Sequence, residues 1–113
     1  MANSFVNAKV DLTTTDNTTL YTTPTANVAL VKSILVSNDA GSACNITVTL
    51  TDASSNVFSL FKTKSVDSNT TTELLTQPLV VEESEILKVQ ASDANELHVI
   101  ASILQIQPRE VTT

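Results

Sequence analysis

The sequence predicts an all-β protein: a single-domain antiparallel β-sandwich, jelly-roll or immunoglobulin-like, with about seven to nine short strands. Three observations predict it. The first is Cys44–Thr51, where apolar and polar residues alternate without a break, the period of a half-buried strand. Cys44, Ile46, Val48 and Leu50 then face a core, and Asn45, Thr47, Thr49 and Thr51 face outward. The second is punctuation: clusters of Asn, Asp, Ser and Pro interrupt the chain at roughly the 8–12-residue spacing of short strands. The third is that no stretch sustains a 3.6-residue period for three turns.

Each element follows from its pattern. Residues 4–12 alternate, with Val6, Ala8, Val10 and Leu12 on one face and Lys9 and Asp11 outside. Residues 1–12 thus read as an edge strand or arm that could pair with a neighbouring subunit. Residues 13–19 are a Thr/Asn/Asp-rich loop. Leu20, Tyr21 and Thr22 form a short strand ended by Pro24, which has no amide to donate. Residues 28–37 are a continuous apolar, β-branched run whose one charge is Lys32, the mark of a strand buried on both faces or nearly so. Residues 38–43 turn the chain into Cys44–Thr51, and 52–56 turn it into a strand over 57–62. Residues 64–69 are polar and are expected to loop across between sheets. A short strand over 70–75 is broken at Gln77-Pro78. Leu79, Val80 and Val81 follow, then an acidic turn over 82–85. Residues 86–91 are a strand and 92–95 a turn. Residues 96–107 close the domain, with Leu97, Val99, Ala101 and Ile103 on one face and Ile100, Leu104 and Ile106 on the other. Pro108 ends the strand, and 108–113 read as a polar tail. No composition break divides residues 1–113, which read as one domain.

Composition narrows the functional classes. A chain of 113 residues can build a two-layer core without disulfide or metal. Charged residues are only 16%, below the usual quarter, and hydrophobic residues 42%, so the chain is folded. Aromatics are limited to Phe5, Tyr21, Phe58 and Phe61, so Val, Ile and Leu must fill the core. Gly41 is the single glycine, which disfavours tight two-residue hairpins. Longer type I turns built from Asn, Asp, Ser and Ala are expected instead. The net charge of −6 and six scattered basic residues argue against nucleic acid as a partner. An anionic membrane would repel the chain, and no apolar run approaches the ~20 residues of a spanning helix. The N-terminus shows no basic and apolar signal regions, so synthesis in a cytoplasm is expected.

No catalytic residue, cofactor or metal site is expected, and the chain is not read as an enzyme. His98, between Leu97 and Val99, reads as a structural or interface histidine, and Cys44 as a buried structural thiol. Nothing local supports a Cys44–His98 pair. The histidine and cysteine counts exclude a zinc site of the usual kind, and one glycine forbids a G-x-S-x-G elbow or a phosphate-cradling loop. Glu82, Glu83 and Glu85 in one turn, with Asp93 and Glu96 around another, could hold calcium if the two turns met. The plainer reading is solvated, charge-bearing turns. Sequons at Asn17, Asn45 and Asn69 follow from the abundance of Asn and Thr.

The candidate contact surface comprises Thr47, Thr49 and Thr51, an uncharged β-branched face suited to packing against another protein, together with Phe58 and Phe61. Those phenylalanines are three apart, so they are expected on opposite faces of their strand, one of them poorly covered. Beyond these features lies a longer pattern: Tyr21-Thr22-x-Pro24, Val36-Ser37-Asn38, Thr47-Val48-x-Leu50-Thr51-Asp52-Ala53-Ser54, Glu73-Leu74-Leu75-x-x-Pro78-Leu79-Val80-x-Glu82, Leu87-Lys88-Val89-Gln90-Ala91-Ser92-x-Ala94-Asn95 and Ala101-Ser102-Ile103-Leu104-x-Ile106. Over about residues 20–106 it resembles small virion structural proteins of tailed bacteriophages, abundant among marine phages. The resemblance implies a compact β-sandwich present in many copies on a particle, made in the bacterial host cytoplasm and located in the virion. Its partners would be the major capsid protein lattice, which it decorates or cements, and further copies of itself in a homo-oligomer. A neck, tail or fibre component, contacting neck or tail proteins, is the alternative. A carbohydrate-binding attachment module is a further one, though such sites usually need more stacking aromatics. The resembling proteins often carry glycine after the Tyr-Thr-x-Pro element, where this chain has Thr25-Ala26-Asn27.

Overall fold

The computed structural model describes residues 2–107. Its nine strands are β1 (Ala2–Leu12), β2 (Thr18–Thr22), β3 (Val28–Asn38), β4 (Cys44–Thr51), β5 (Val57–Val66), β6 (Thr70–Glu73), β7 (Leu79–Val81), β8 (Ile86–Ala91) and β9 (Leu97–Gln107). One sheet runs β1-β9-β3-β6, with β7 also paired to β3, and the other runs β2-β8-β4-β5. The antiparallel pairing is nested: β1 with β9, β2 with β8, β3 with β6 and β7, β4 with β5. The chain is one long ribbon doubled back at the β4–β5 hairpin and rolled. That nesting selects the jelly roll over the immunoglobulin arrangement.

The two-residue period places the core. Cys44, Ile46 and Val48 of β4 and Leu87, Val89 and Ala91 of β8 are buried from one side. Leu97, Val99, Ala101 and Ile103 of β9 and Ala29, Val31, Ile34 and Val36 of β3 meet them from the other. Each Val, Leu or Ile side chain among them contributes about 1.5–3 kcal/mol on leaving water. Tyr21 spans the layers, its hydroxyl donating to Gln105 Oε1 at 2.6 Å. Burial pushes this phenol above its usual range, against a smaller downward effect of a hydrogen bond with Thr23. Asn38 is a buried polar side chain that is fully engaged: Nδ2 donates to Ser42 O (2.9 Å) and, across to β5, Val66 O (3.0 Å), and Oδ1 accepts from Ala40 N (2.9 Å).

Three expectations need correction. The run over 28–37 is buried on one face only: Leu30 is half-buried and Leu35 open on the outward side, because the second sheet covers just the inner face. Residues 64–66 do not loop between sheets. They extend β5, pairing Ser65 with Asn45 and Val66 with Cys44, because the strand absorbs extra residues as bulges. The turns are not confined to type I backbone. Ala26, Ser55, Thr63, Asn69, Ser84 and Asn95 all take positive φ, while Gly41 does not. A left-handed non-glycine residue costs about 1–2 kcal/mol. Five of these six offset the strain by donating their own amide: Ala26 to Glu83, Ser55 to Asp52 O, Thr63 to Thr47 Oγ1, Ser84 to Thr23 O and Asn95 to Leu12 O. The expected tail at 108–113 lies outside the described residues.

Candidate interaction surfaces

Thr47, Thr49 and Thr51 lie on the outward face of β4, midway across the four-stranded sheet, opposite Gln90, Lys88 and Ile86 of β8. All three are half-buried by their neighbours. Thr47 Oγ1 accepts the Thr63 amide at 3.0 Å, and Thr49 Oγ1 is buried with no partner among the described residues. A shallow polar hollow of about 330 Å³ lies beside Thr47, lined also by Thr15, Asn45, Thr63, Gln90 and Ser92. Its groups are partly committed, Gln90 Nε2 to Thr15 O and Ser92 Oγ to the Asn45 amide. None of the strands β2, β4, β5 and β8 contains an acidic residue, although the chain has 12, and they contain Lys62, Lys64 and Lys88. The outward face of this sheet is therefore rich in hydroxyls and free of carboxylates borne on its strands.

Phe58 and Phe61 do not point to opposite faces. Phe58 pairs with Leu50 and Phe61 with Val48, two residues on the same, inward side of β4. The register shifts between Val48 and Thr49, so Leu60 is an extra residue on β5 and restores both rings to one side. Phe61 packs on the core, whereas Phe58, at the open end of the edge strand, remains 53% exposed.

A larger surface lies on the outward face of the other sheet. Register places Phe5, Leu104, Leu30 and Val80 in one row across β1, β9, β3 and β7. Phe5 is 83% exposed and Val80 54%. Two residues along, Asn7, Ser102 and Ser33 form a polar row. The next row is Lys9, Ile100, Leu35 and Glu73, with Ile100 and Leu35 exposed. Four of the six large hydrophobics exposed among the described residues belong to this face. The signal was present in the sequence: Leu30 and Leu35 in the doubly apolar run, and Ile100 and Leu104 on the second face of 96–107. What periodicity lacked was the pairing that aligns them with Phe5 and Val80.

The ionisable groups are distributed around these faces. His98 is on the outward side of β9, its Nδ1 3.5 Å from Asp11 Oδ1 and its Nε2 3.4 Å from Asp39 Oδ2. As an imidazolium it can donate to both. Cys44 is buried inside the opposite sheet, so the two are not brought together. The turns at 82–85 and 92–95 sit at opposite ends of β8, about 17 Å apart at ~3.4 Å per residue, and do not meet. Glu83 instead accepts the Ala26 amide, and Glu85 Oε1 the Glu82 amide at 2.7 Å. Asp93 and Glu96 gather with Cys44, their ligand atoms within 4.8 Å of one another, a spacing that could hold a cation and that also occurs among acidic groups without one. Ser42 Oγ donates to Glu96 Oε1, while Glu96 Oε2 is buried without a partner among the described residues. Glu73 is tied into the sheet: Oε1 accepts from Ser33 Oγ and Oε2 from the amides of Ile34 (2.8 Å) and Leu75 (3.1 Å). Burial raises its carboxyl, but the bonds from Ser33, Ile34, Leu75 and Leu74 together outweigh that and hold it below the usual carboxylate range.

No protein-family model matches this chain, and no curated protein matches it. Among solved structures, a chain of infectious bursal disease virus Gt strain is similar at a TM-score of 0.48 and 10% identity, over 93% of this chain and 30% of that one. This chain thus spans less than a third of that chain's length.

Proposed function

We propose that this protein is a structural component of a tailed-bacteriophage virion: a decoration or cement protein that docks on the major capsid protein lattice in many copies. The observation that carries the reading is the outward face of the four-stranded sheet, rich in hydroxyls and with no acidic residue on its strands, in a chain of net charge −6. Carboxylates on that face would have to be desolvated on docking, at several kcal/mol each when unpaired. Threonines carry no charge to desolvate and can bury their methyl groups, and the Thr47 hydroxyl is already engaged by the Thr63 amide. Such contacts are individually weak, but repetition over a lattice multiplies them. The resemblance over residues 20–106 to small phage virion proteins points the same way. A jelly roll alone does not, since it also serves lectins and cupins.

Quantitative mass spectrometry of purified particles, scaled to the major capsid protein, tests the reading. Hundreds of copies per particle are expected. A dozen to a few dozen would move the protein to the neck, tail or fibres, and absence from the particle would overturn the structural role.

A further inference from the structure

We infer that the outward face of the five-stranded sheet docks on the same face of a second copy of this chain, about a two-fold axis that runs between β9 and β3, within about 15° of the strand direction. The inference goes beyond the virion reading and does not depend on it.

The argument is self-complementarity, which a two-fold interface requires. Rotation about that axis lays β1 of one copy over β7 and β6 of the other, and β9 over β3, with each row on its own counterpart. In the apolar row, Phe5 meets Val80 of the second copy and Leu104 meets its Leu30. In the charged row, Lys9 meets Glu73 of the second copy and Ile100 meets its Leu35. The apolar row is apolar in either direction, and the charged row, cation, apolar, apolar, anion, meets its own reverse with each charge opposite its counter-charge. Within one chain Lys9 and Glu73 are three strands apart, about 14 Å at ~4.8 Å per strand, so each lacks the other.

Geometry permits the match. Face-packed sheets cross at about 30°. The apolar and charged rows lie about 7 Å either side of the polar row between them. A 30° crossing displaces them sideways by about 4 Å, less than one strand spacing. The face measures about 19 by 27 Å, a projected area near 500 Å², below the ~800 Å² per partner of a standard interface. That extent suits a reversible dimer.

Lys32 gives the proposal a sign that can be checked. It stands on the β3 bulge and lines a hollow of about 340 Å³ with Phe5, Asn7 and Ser102, close to the axis, where it faces its own copy. Lys9 is attracted across the interface, whereas Lys32 is repelled.

Sedimentation equilibrium of the full chain, from micromolar to about 1 mM, reads the association. A monomer–dimer equilibrium is expected, and a monomer throughout overturns the proposal. At low salt Lys9→Glu should raise the dimer Kd at least about tenfold, and Lys32→Gln should lower it. Both substitutions are at exposed positions. If both weaken the dimer equally, the face meets an acidic surface rather than itself, and the proposal fails. Geometry is read separately with Phe5→Cys and Val80→Cys chains mixed and treated with a short bis-maleimide, the buried Cys44 left in place and the parent chain as blank. The mixed Phe5→Cys/Val80→Cys product should dominate. Dominance of Phe5→Cys joined to itself would mean edge pairing of β1, and would overturn the face-to-face arrangement.

Discussion

Removal of the buried Asn38 side chain should be strongly destabilising. Asn38 ends β3, and its amide ties together the β3–β4 turn and the end of β5 through three bonds of 2.9, 3.0 and 2.9 Å. In Asn38→Ala, the bond to Val66 O is lost in a buried setting, where an unpaired carbonyl costs about 1–3 kcal/mol. The Ser42 carbonyl and Ala40 amide are part-buried, so water replaces some of what they lose, at about 0.5–1 kcal/mol each. The sum is about 3 kcal/mol. A chain of this size unfolds with an entropy near 0.24 kcal/mol/K, taking ~2.1 cal/mol/K per residue, so Tm should fall by about 12 °C. Asn38→Asp sharpens the test, because it keeps the acceptor for Ala40 but turns a carboxylate toward two carbonyl oxygens. The introduced carboxyl is raised in the folded state above its unfolded value near ~3.9. Its penalty is therefore full at neutral pH and shrinks as pH falls through the raised folded value, where the protonated group can donate to Val66 O. Scanning calorimetry between neutral pH and about pH 4 measures both. A Tm for Asn38→Ala within about 3 °C of the parent, or an Asn38→Asp deficit that does not change with pH, would refute the accounting.

Two further perturbations probe the sheets. Phe61→Ala should lower stability by about 2–4 kcal/mol and Phe58→Ala by under about 1 kcal/mol, measured by urea denaturation; the reverse order would show that the β5 bulge does not return both rings to the inward side. Glu73→Gln should lower Tm at neutral pH, with the difference from the parent complete above the ordinary glutamate range and closing as pH falls through the lowered folded value, because a depressed carboxyl loses its contribution on protonation; a difference that stays constant into acid would show that the charge on Glu73 adds nothing to its bonds.

Strand identity was legible wherever one face is buried, because burial imposes the period. The alternation of β4 and the two faces of β9 were readable residue by residue. The errors share one cause, that periodicity is local and pairing is not. The run over 28–37 reads as doubly buried because nothing in its own residues says whether a partner covers the outer side. Phe58 and Phe61 read as opposed because a bulge is a property of two strands, and Leu60 looks like any strand residue. The left-handed turns were hidden for a related reason. Ala26 and Thr63 tolerate positive φ through the Glu83 carboxylate, 57 residues away, and the Thr47 hydroxyl, 16 away, acceptors that no local turn rule contains. The outward orientation of Thr47, Thr49 and Thr51 is legible because alternation is visible within one strand. The row from Phe5 to Val80 draws on four strands and becomes visible only once they are ordered.

The placement of charge links the two faces to association. Among the described acidic residues, only Asp11 and Glu73 lie on strands, and the other nine occupy the connections. Connections in a jelly roll cluster at the ends of the sandwich, so most of the negative charge is carried there. Like charge at the ends opposes end-to-end contact and keeps the chain soluble. Both sheet faces are left nearly free of carboxylates, and their desolvation is correspondingly cheap. One face offers hydroxyls and lysines, and the other an apolar row beside a cation and an anion. That segregation favours association through the faces over association through the ends. Raising salt should then affect the two modes oppositely: screening weakens the Lys9–Glu73 attraction across the proposed dimer and relaxes the repulsion between ends.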